Sequence, residues 1–140
     1  MFRIKRPQLL AQIWELSKSG SVVLTGSPGV GKSWMIAQLI RECRAENRPY
    51  LPIAAEDFDI RSIDELGLAL QFKTDILSFL KALGTGPVLL IDGLDALRGE
   101  LSQRAFRELI RRVSREVSNC SVIASGISIS KISLVESIII

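Results

Sequence analysis

The sequence predicts an α/β domain built on a mostly parallel sheet, and three observations predict it. The β-branched apolar run Ser21-Val22-Val23-Leu24-Thr25 leads into a glycine-rich turn, Gly26-Ser27-Pro28-Gly29-Val30-Gly31-Lys32-Ser33, and then into a helical pattern. The run Val88-Leu89-Leu90-Ile91 is apolar without alternation, so a strand there is buried on both faces, as in the middle of a parallel sheet. Four such runs are separated by helix-periodic segments, the order that gives parallel strands joined by right-handed crossovers.

Each element has a local cause. Residues 7–18 form a helix: Pro7 suits its first turn, Leu9, Leu10, Ile13 and Leu16 make an apolar stripe, and Gly20 ends it. After the first strand, Ile36, Leu39, Ile40 and Cys43 fall on one helical face, with Gln38, Arg41, Glu42 and Arg44 opposite. A second strand lies within residues 49–55, and Pro52, which has no N–H to donate, places it at a sheet edge. Ser62-Ile63-Asp64-Glu65 is a capping box that starts a helix, which breaks around residues 71–73. Thr74-Asp75 caps another, carrying Ile76, Leu77, Phe79, Leu80 and Leu83, and Gly84-Thr85-Gly86-Pro87 is a turn. The third strand, residues 88–91, ends in Asp92-Gly93-Leu94-Asp95. A helix over residues 102–118 turns Phe106, Leu109, Ile110, Val113 and Val117 inward, and the fourth strand, Ser121-Val122-Ile123-Ala124, ends near Ser125-Gly126.

Bulk composition narrows the function. The 140 residues suffice for one domain, and 47% hydrophobic with 24% charged residues is ordinary for a soluble globular protein. Histidine is absent, which excludes metal sites and catalysis built on it. Cys43 and Cys120 lack metal-ligand spacing and read as reduced core residues, which suits a cytoplasmic protein. Arg3, Lys5 and Arg6 precede no apolar stretch, so no signal peptide is expected. No run approaches the ~18 apolar residues of a membrane span, so no membrane partner is expected. A net charge of +3 gives a nucleic-acid partner only weak support. The expected organisation is a nucleotide-binding domain over residues 1–126, the helix at 7–18 included. Residues 127–140 follow as an Ile/Ser-rich tail that is either an extra strand or a truncated end.

The chemistry begins at the glycine-rich turn, which fits G-x-x-x-x-G-K-[ST]. Its glycines bring backbone N–H groups against phosphates, and the helix beginning there aims its positive end at the same anion. Lys32 places a charge at the β/γ-phosphates, and Ser33 supplies a hydroxyl to Mg²⁺. The nucleotide-binding set along this turn is Gly26, Ser27, Pro28, Gly29, Val30, Gly31, Lys32, Ser33 and Trp34. Asp92 ends a buried strand, where a carboxylate costs several kcal/mol unless a cation pairs with it. Mg²⁺ shared with Ser33 meets that need. For Asp95 two roles stay open, a general base near the γ-phosphate and the cap of the next helix. Arg104, Arg107, Arg111 and Arg115 form a stripe joined by Arg112 and interleaved with Glu100, Glu108 and Glu116. Without aromatic companions it reads as a solvated helix face, with a protein partner surface or a nucleic-acid backbone contact as alternatives. Glu56, Asp57 and Asp59 read as polar loop.

Taken together, the phosphate turn and the four apolar residues before D-G-L-D resemble P-loop NTPases of the AAA+ class. Within it they resemble the signal-transduction ATPases with numerous domains (STAND), NACHT-type members included. The resemblance implies a three-layer, ASCE/AAA+-like α/β fold with a mostly parallel sheet, and ATP with Mg²⁺ as ligands. It implies a fourth strand lying between the first and third, and a basic box at Arg6 beside the adenine. It makes Ser125 the sensor-1 polar residue, so that Lys32, Asp95 and Ser125 form the catalytic set. The chain departs from the family where Lys5 replaces a glycine, Asp95-Ala96 replaces D-E, and Gly126-Ile127 stands where many relatives carry an arginine. The residues after Ser125 are too few for a fifth strand and a helical lid with a second sensor, so the fold is expected to be incomplete at its C-terminus. Protein partners or self-association would then come through missing domains. The expected function is ATP binding with slow hydrolysis by a nucleotide-switch module. The alternatives are a small nucleotide or metabolite kinase, or a non-catalytic truncated remnant; no N-K-x-D motif supports a GTPase.

Overall fold

The computed structural model describes residues 6–25, 31–84, 86–97, 99–126 and 136–139. Along them run α1 (Arg6–Ser19), β1 (Val22–Thr25), α2 (Lys32–Ala45), β2 (Tyr50–Ala54), α3 (Ile63–Ala69), α4 (Ile76–Ala82), β3 (Val88–Asp92), α5 (Glu100–Glu116), β4 (Ser121–Ser125) and β5 (Glu136–Ile139). Single 3-10 turns follow β2 at Ala55–Asp57 and β3 at Leu94–Ala96. The strands form one parallel sheet in the order β2-β3-β4-β1-β5. β4 therefore lies between β1 and β3, and β2, with Pro52, is an edge strand where a missing N–H is tolerated.

The unbroken apolar run of β3 is explained by a helical layer on each face of the sheet. Val88 and Leu90 join Ile13, Leu24 and Leu39 beneath α1 and α2. Leu89 and Ile91 join Leu66, Leu80, Phe106 and Leu109 beneath α3, α4 and α5. All four strand residues are fully buried. At about 1.5–3 kcal/mol for each large aliphatic side chain, this strand anchors both cores. The result is the three-layer α/β P-loop NTPase fold.

Helix ends follow local chemistry, with small shifts from the sequence reading. Ser62 Oγ accepts the N–H of Glu65 at 3.2 Å, and the Glu65 carboxylate accepts from Arg61 N at 2.8 Å, one residue ahead of the cap. Asp75 caps α4 by accepting from Ser78 N at 2.9 Å. α3 stops because Gln71 turns left-handed (φ 61°), letting Phe72 N–H reach the Gly67 carbonyl at 3.0 Å. α5 starts at Glu100, earlier than predicted, because Gly99 serves as its N-cap. Of the tail, Glu136–Ile139 forms β5, paired in parallel with Val22–Thr25 of β1, and the rest of residues 127–140 lies outside the described residues.

Arg48 locks the sheet edge opposite the phosphate turn. Asn47 adopts a left-handed φ of 54°, and Arg48 N–H closes on the Cys43 carbonyl at 2.8 Å. The side chain then donates to the Gly86 carbonyl at 2.7 Å and to both the hydroxyl and carbonyl of Ser17 at 3.0 Å. Its guanidinium carbon lies 5.0 Å from the Trp14 ring centroid. Burial pushes the pKa of this guanidinium down. Nothing in the local sequence marks Arg48 for this role. Both cysteines are free and buried, and burial raises the Cys120 thiol to about 11. Among the described residues no helix is long and apolar enough to cross a membrane.

Candidate nucleotide-binding site

The described part of the phosphate turn begins at Gly31; Gly26, Ser27, Pro28, Gly29 and Val30 lie outside the described residues, as does the Arg6 side chain. Gly31 sits at φ 96°, ψ 19° as the residue before α2. A side chain there would be strained, which is why the motif requires glycine. Met35 N–H bonds the Gly31 carbonyl at 2.9 Å, so α2 begins at once and carries Lys32 and Ser33 in its first turn. Lys32 is 9% exposed.

The carboxyl end of β3 brings Asp92 and Asp95 to this point, and that of β4 brings Ser125. Lys32 Nζ lies 3.4 Å from Asp95 Oδ2, with side-chain exposures of 10% and 44%. Asp95 belongs to the 3-10 turn Leu94–Ala96 and does not cap α5, whose cap is Gly99; the capping role left open by the sequence is excluded. Asp92 closes β3, and its Oδ1 accepts from Ser125 Oγ at 2.7 Å. Ser125 Oγ in turn accepts from Gly93 N–H at 3.0 Å. The Ser125 proton is therefore engaged by Asp92, and this hydroxyl ties the end of β4 to the turn after β3.

These residues surround one cleft of about 350 Å³, lined by Gly31, Lys32, Ser33, Trp34, Asp92, Gly93, Asp95 and Ser125. Only Gly93 was not singled out from the sequence as a site residue. The cleft suits Mg²⁺ of the nucleotide-borne kind. Among the described residues no group of three or more His, Cys, Asp or Glu could hold a metal. Mg²⁺ bound with phosphates typically takes one or two protein oxygens and completes its shell with phosphate and water. Ser33 and Asp92 are the residues that would hold it.

Gly126 is a site residue that sequence reasoning missed. It follows β4 at φ 85°, and a Cβ there would lie 2.5 Å from Asp95 Oδ1 and 2.7 Å from Asp95 N. Its N–H donates to the Leu24 carbonyl at 3.1 Å, which ties it to β1. The available signal was the glycine itself, standing where the resemblance leads one to expect arginine. Of the acidic loop, Asp59 accepts from Ser102 Oγ at 3.3 Å, a link between that loop and α5.

The parallel sheet, the lysine at the start of α2 and the aspartate ending β3 define a nucleotide-binding P-loop NTPase module. Its sequence matches the family model for the ATPase family associated with various cellular activities (AAA) over residues 22–135, and the chain belongs to that family. Among solved structures it is similar to AMPPCP-bound DnaA from Aquifex aeolicus, with a TM-score of 0.63 and 18% identity over 99% of this chain and 48% of that one. It is also similar to a DNA replication initiation factor, with a TM-score of 0.60 and 17% identity over 95% of this chain and 44% of that one. RuvB from Thermotoga maritima gives a TM-score of 0.53 and 16% identity over 96% of this chain and 45% of that one. At these identities the likeness is one of fold, and the chain spans about half the length of each. No curated protein matches the chain in sequence.

Proposed function

We propose that this chain binds ATP with Mg²⁺ in the Lys32 cleft, hydrolyses it slowly and works as a nucleotide switch of the STAND type. The observation that carries the reading is the Lys32–Asp95 pair at 3.4 Å. A nearly buried ammonium needs an anion, and the half-exposed Asp95 holds it with only up to about 1 kcal/mol. A triphosphate carries more charge and competes for the same lysine. Its arrival would release Asp95 toward the γ-phosphate, so ligand occupancy and the position of Asp95 are coupled.

Hydrolysis on this geometry assigns a role to each residue. Water adds to the γ-phosphorus as the bond to the β–γ bridging oxygen breaks; its proton passes to the Asp95 carboxylate and ADP leaves. Lys32 offsets charge on the β/γ-oxygens. Ser125 keeps Asp92 oriented rather than touching the reacting phosphate, because its proton is already donated to Asp92. Slow turnover is supported by Gly126, which itself brings no cationic side chain beside Asp95. The D-G-L-D turn supports the STAND reading, and two buried free cysteines support a cytoplasmic setting.

The test is equilibrium binding of ATP with and without Mg²⁺ to the natural chain, Lys32→Ala and Asp95→Ala, with phosphate release measured in parallel. Lys32→Ala should weaken binding at least about tenfold. Asp95→Ala should bind ATP as well as or better than the natural chain while losing turnover. Absence of ATP binding by the natural chain, or binding indifferent to Lys32→Ala, sinks the proposal.

A further inference from the structure

The arginines of α5 are not an isolated solvated stripe. Arg104, Arg107, Arg111 and Arg112 join Arg61, from the loop before α3, around a depression of about 590 Å³ whose walls also hold Asp64 and Glu108. Arg112 is held by Glu116 at 2.7 Å, and Arg111 meets Glu108 at 3.7 Å. Arg61, Arg104 and Arg107 form no ion pair among the described residues. Five guanidinium groups from two separate elements thus converge on one concavity whose own lining holds two carboxylates, Asp64 and Glu108.

A second observation identifies the partner. The large hydrophobic side chains left exposed among the described residues are Trp34, Leu68 and Leu101, at 42%, 75% and 51%. Trp34 belongs to the nucleotide cleft. Leu101 precedes Arg104 by one helical turn on α5, and Leu68 follows Asp64 by one turn on α3, so each is the helical neighbour of a residue that lines the groove, outside the lining itself. Arginine beside exposed apolar side chains is the composition of a protein interface. A nucleic-acid backbone would gain nothing from the two leucines and would find no aromatic ring in the groove lining on which to stack bases. We propose that the α3/α5 groove docks an acidic segment of a partner protein, with carboxylates on Arg61, Arg104 and Arg107 and apolar side chains on Leu68 and Leu101. None of these residues lines the nucleotide cleft, so the inference stands apart from the ATP reading.

The test is selection of random 16-residue peptides displayed on phage against the immobilised full chain, followed by affinity measurement of the enriched peptides on purified variants. Enriched peptides should combine Asp or Glu with Leu, Ile or Phe. They should bind Arg104→Ala/Arg107→Ala at least about tenfold more weakly, and Leu101→Ser several-fold more weakly. Far-UV circular dichroism should match the natural chain, since Arg104 and Leu101 are exposed and neither arginine is fully buried. Enrichment of peptides without excess acid, or binding unchanged by the arginine pair, overturns the proposal. So does failure to enrich any peptide. A mixed-sequence 20-nucleotide DNA whose binding depends on Arg104 and Arg107, with no such dependence for any peptide, overturns it in favour of nucleic acid.

Discussion

Single residues carry the chemistry of this chain in proportion to how tightly their neighbours hold them. Asp95 is held from above by Gly126, where any side chain would press into its carboxylate and amide. Gly126→Ala is expected to displace Asp95 and, at φ 85°, to add roughly 1–3 kcal/mol of backbone strain. ATP affinity should stay within about threefold of the natural chain while single-turnover phosphate release falls at least about tenfold. Equal losses in both would mean a general structural defect. Arg48 is the equivalent fixed point at the other end of the strands. Arg48→Ala removes the Arg48 donor from the Gly86 carbonyl and one of two donors from the Ser17 carbonyl, which keeps Ser121 Oγ, and should cost about 1–3 kcal/mol in urea unfolding. Arg48→Lys should recover only part of that, because an ammonium cannot span both carbonyls as the guanidinium fork does. Full recovery would mean that charge alone, not the fork, closes this end.

At the scale of elements, the helices are set by their ends. α3 and α4 have seven residues each, too short to persist alone, so their caps and their packing on α5 hold them. Ser62→Ala and Asp75→Ala each remove a cap and should cost about 1 kcal/mol by thermal or urea unfolding. Gln71→Gly should act the other way. A glutamine at φ 61° is strained where glycine is not, and relief of that strain outweighs the added flexibility of the unfolded chain by about 0.5 kcal/mol. No gain in stability would mean that Gln71 makes compensating contacts. Such ends are legible in sequence when they rest on a side-chain cap, as at Ser62 and Asp75. At Asn47, where the backbone turns left-handed after α2 without a glycine, the end was not read from the sequence.

At the scale of the whole molecule, the sheet couples the site to the rest of the fold. β1, which leads to Gly26, lies between β4 and β5, so the strand formed by Glu136–Ile139 flanks β1 on its outer side. Stability should also fall at high pH. The Cys120 thiol is raised from 9.0 to about 11 in the folded protein. Its contribution is complete below pH 9 and is lost as pH rises toward 11, because the unfolded thiol ionises first. Unfolding free energy measured from pH 8 to 11 should decline, and Cys120→Ala should make that decline shallower. A decline of the same slope in the variant would assign it to other groups.

The sequence by itself determined what depends on contiguous residues: the glycine turn and its lysine, the buried strands, the caps of α3 and α4, and the aspartate that ends β3. Each is written within one or two turns of chain, where backbone geometry and hydrophobic period act directly. Only the tertiary structure decided what joins distant residues. Lys32 meets Asp95 across 63 positions, and Ser125 meets Asp92 across 33, because β4 inserts between β1 and β3. The same strand order placed Gly126 against Asp95. The packing of α3 on α5 brought Arg61 to the arginines of α5. These contacts follow from how strands are ordered and how turns are aimed, and no local pattern encodes either.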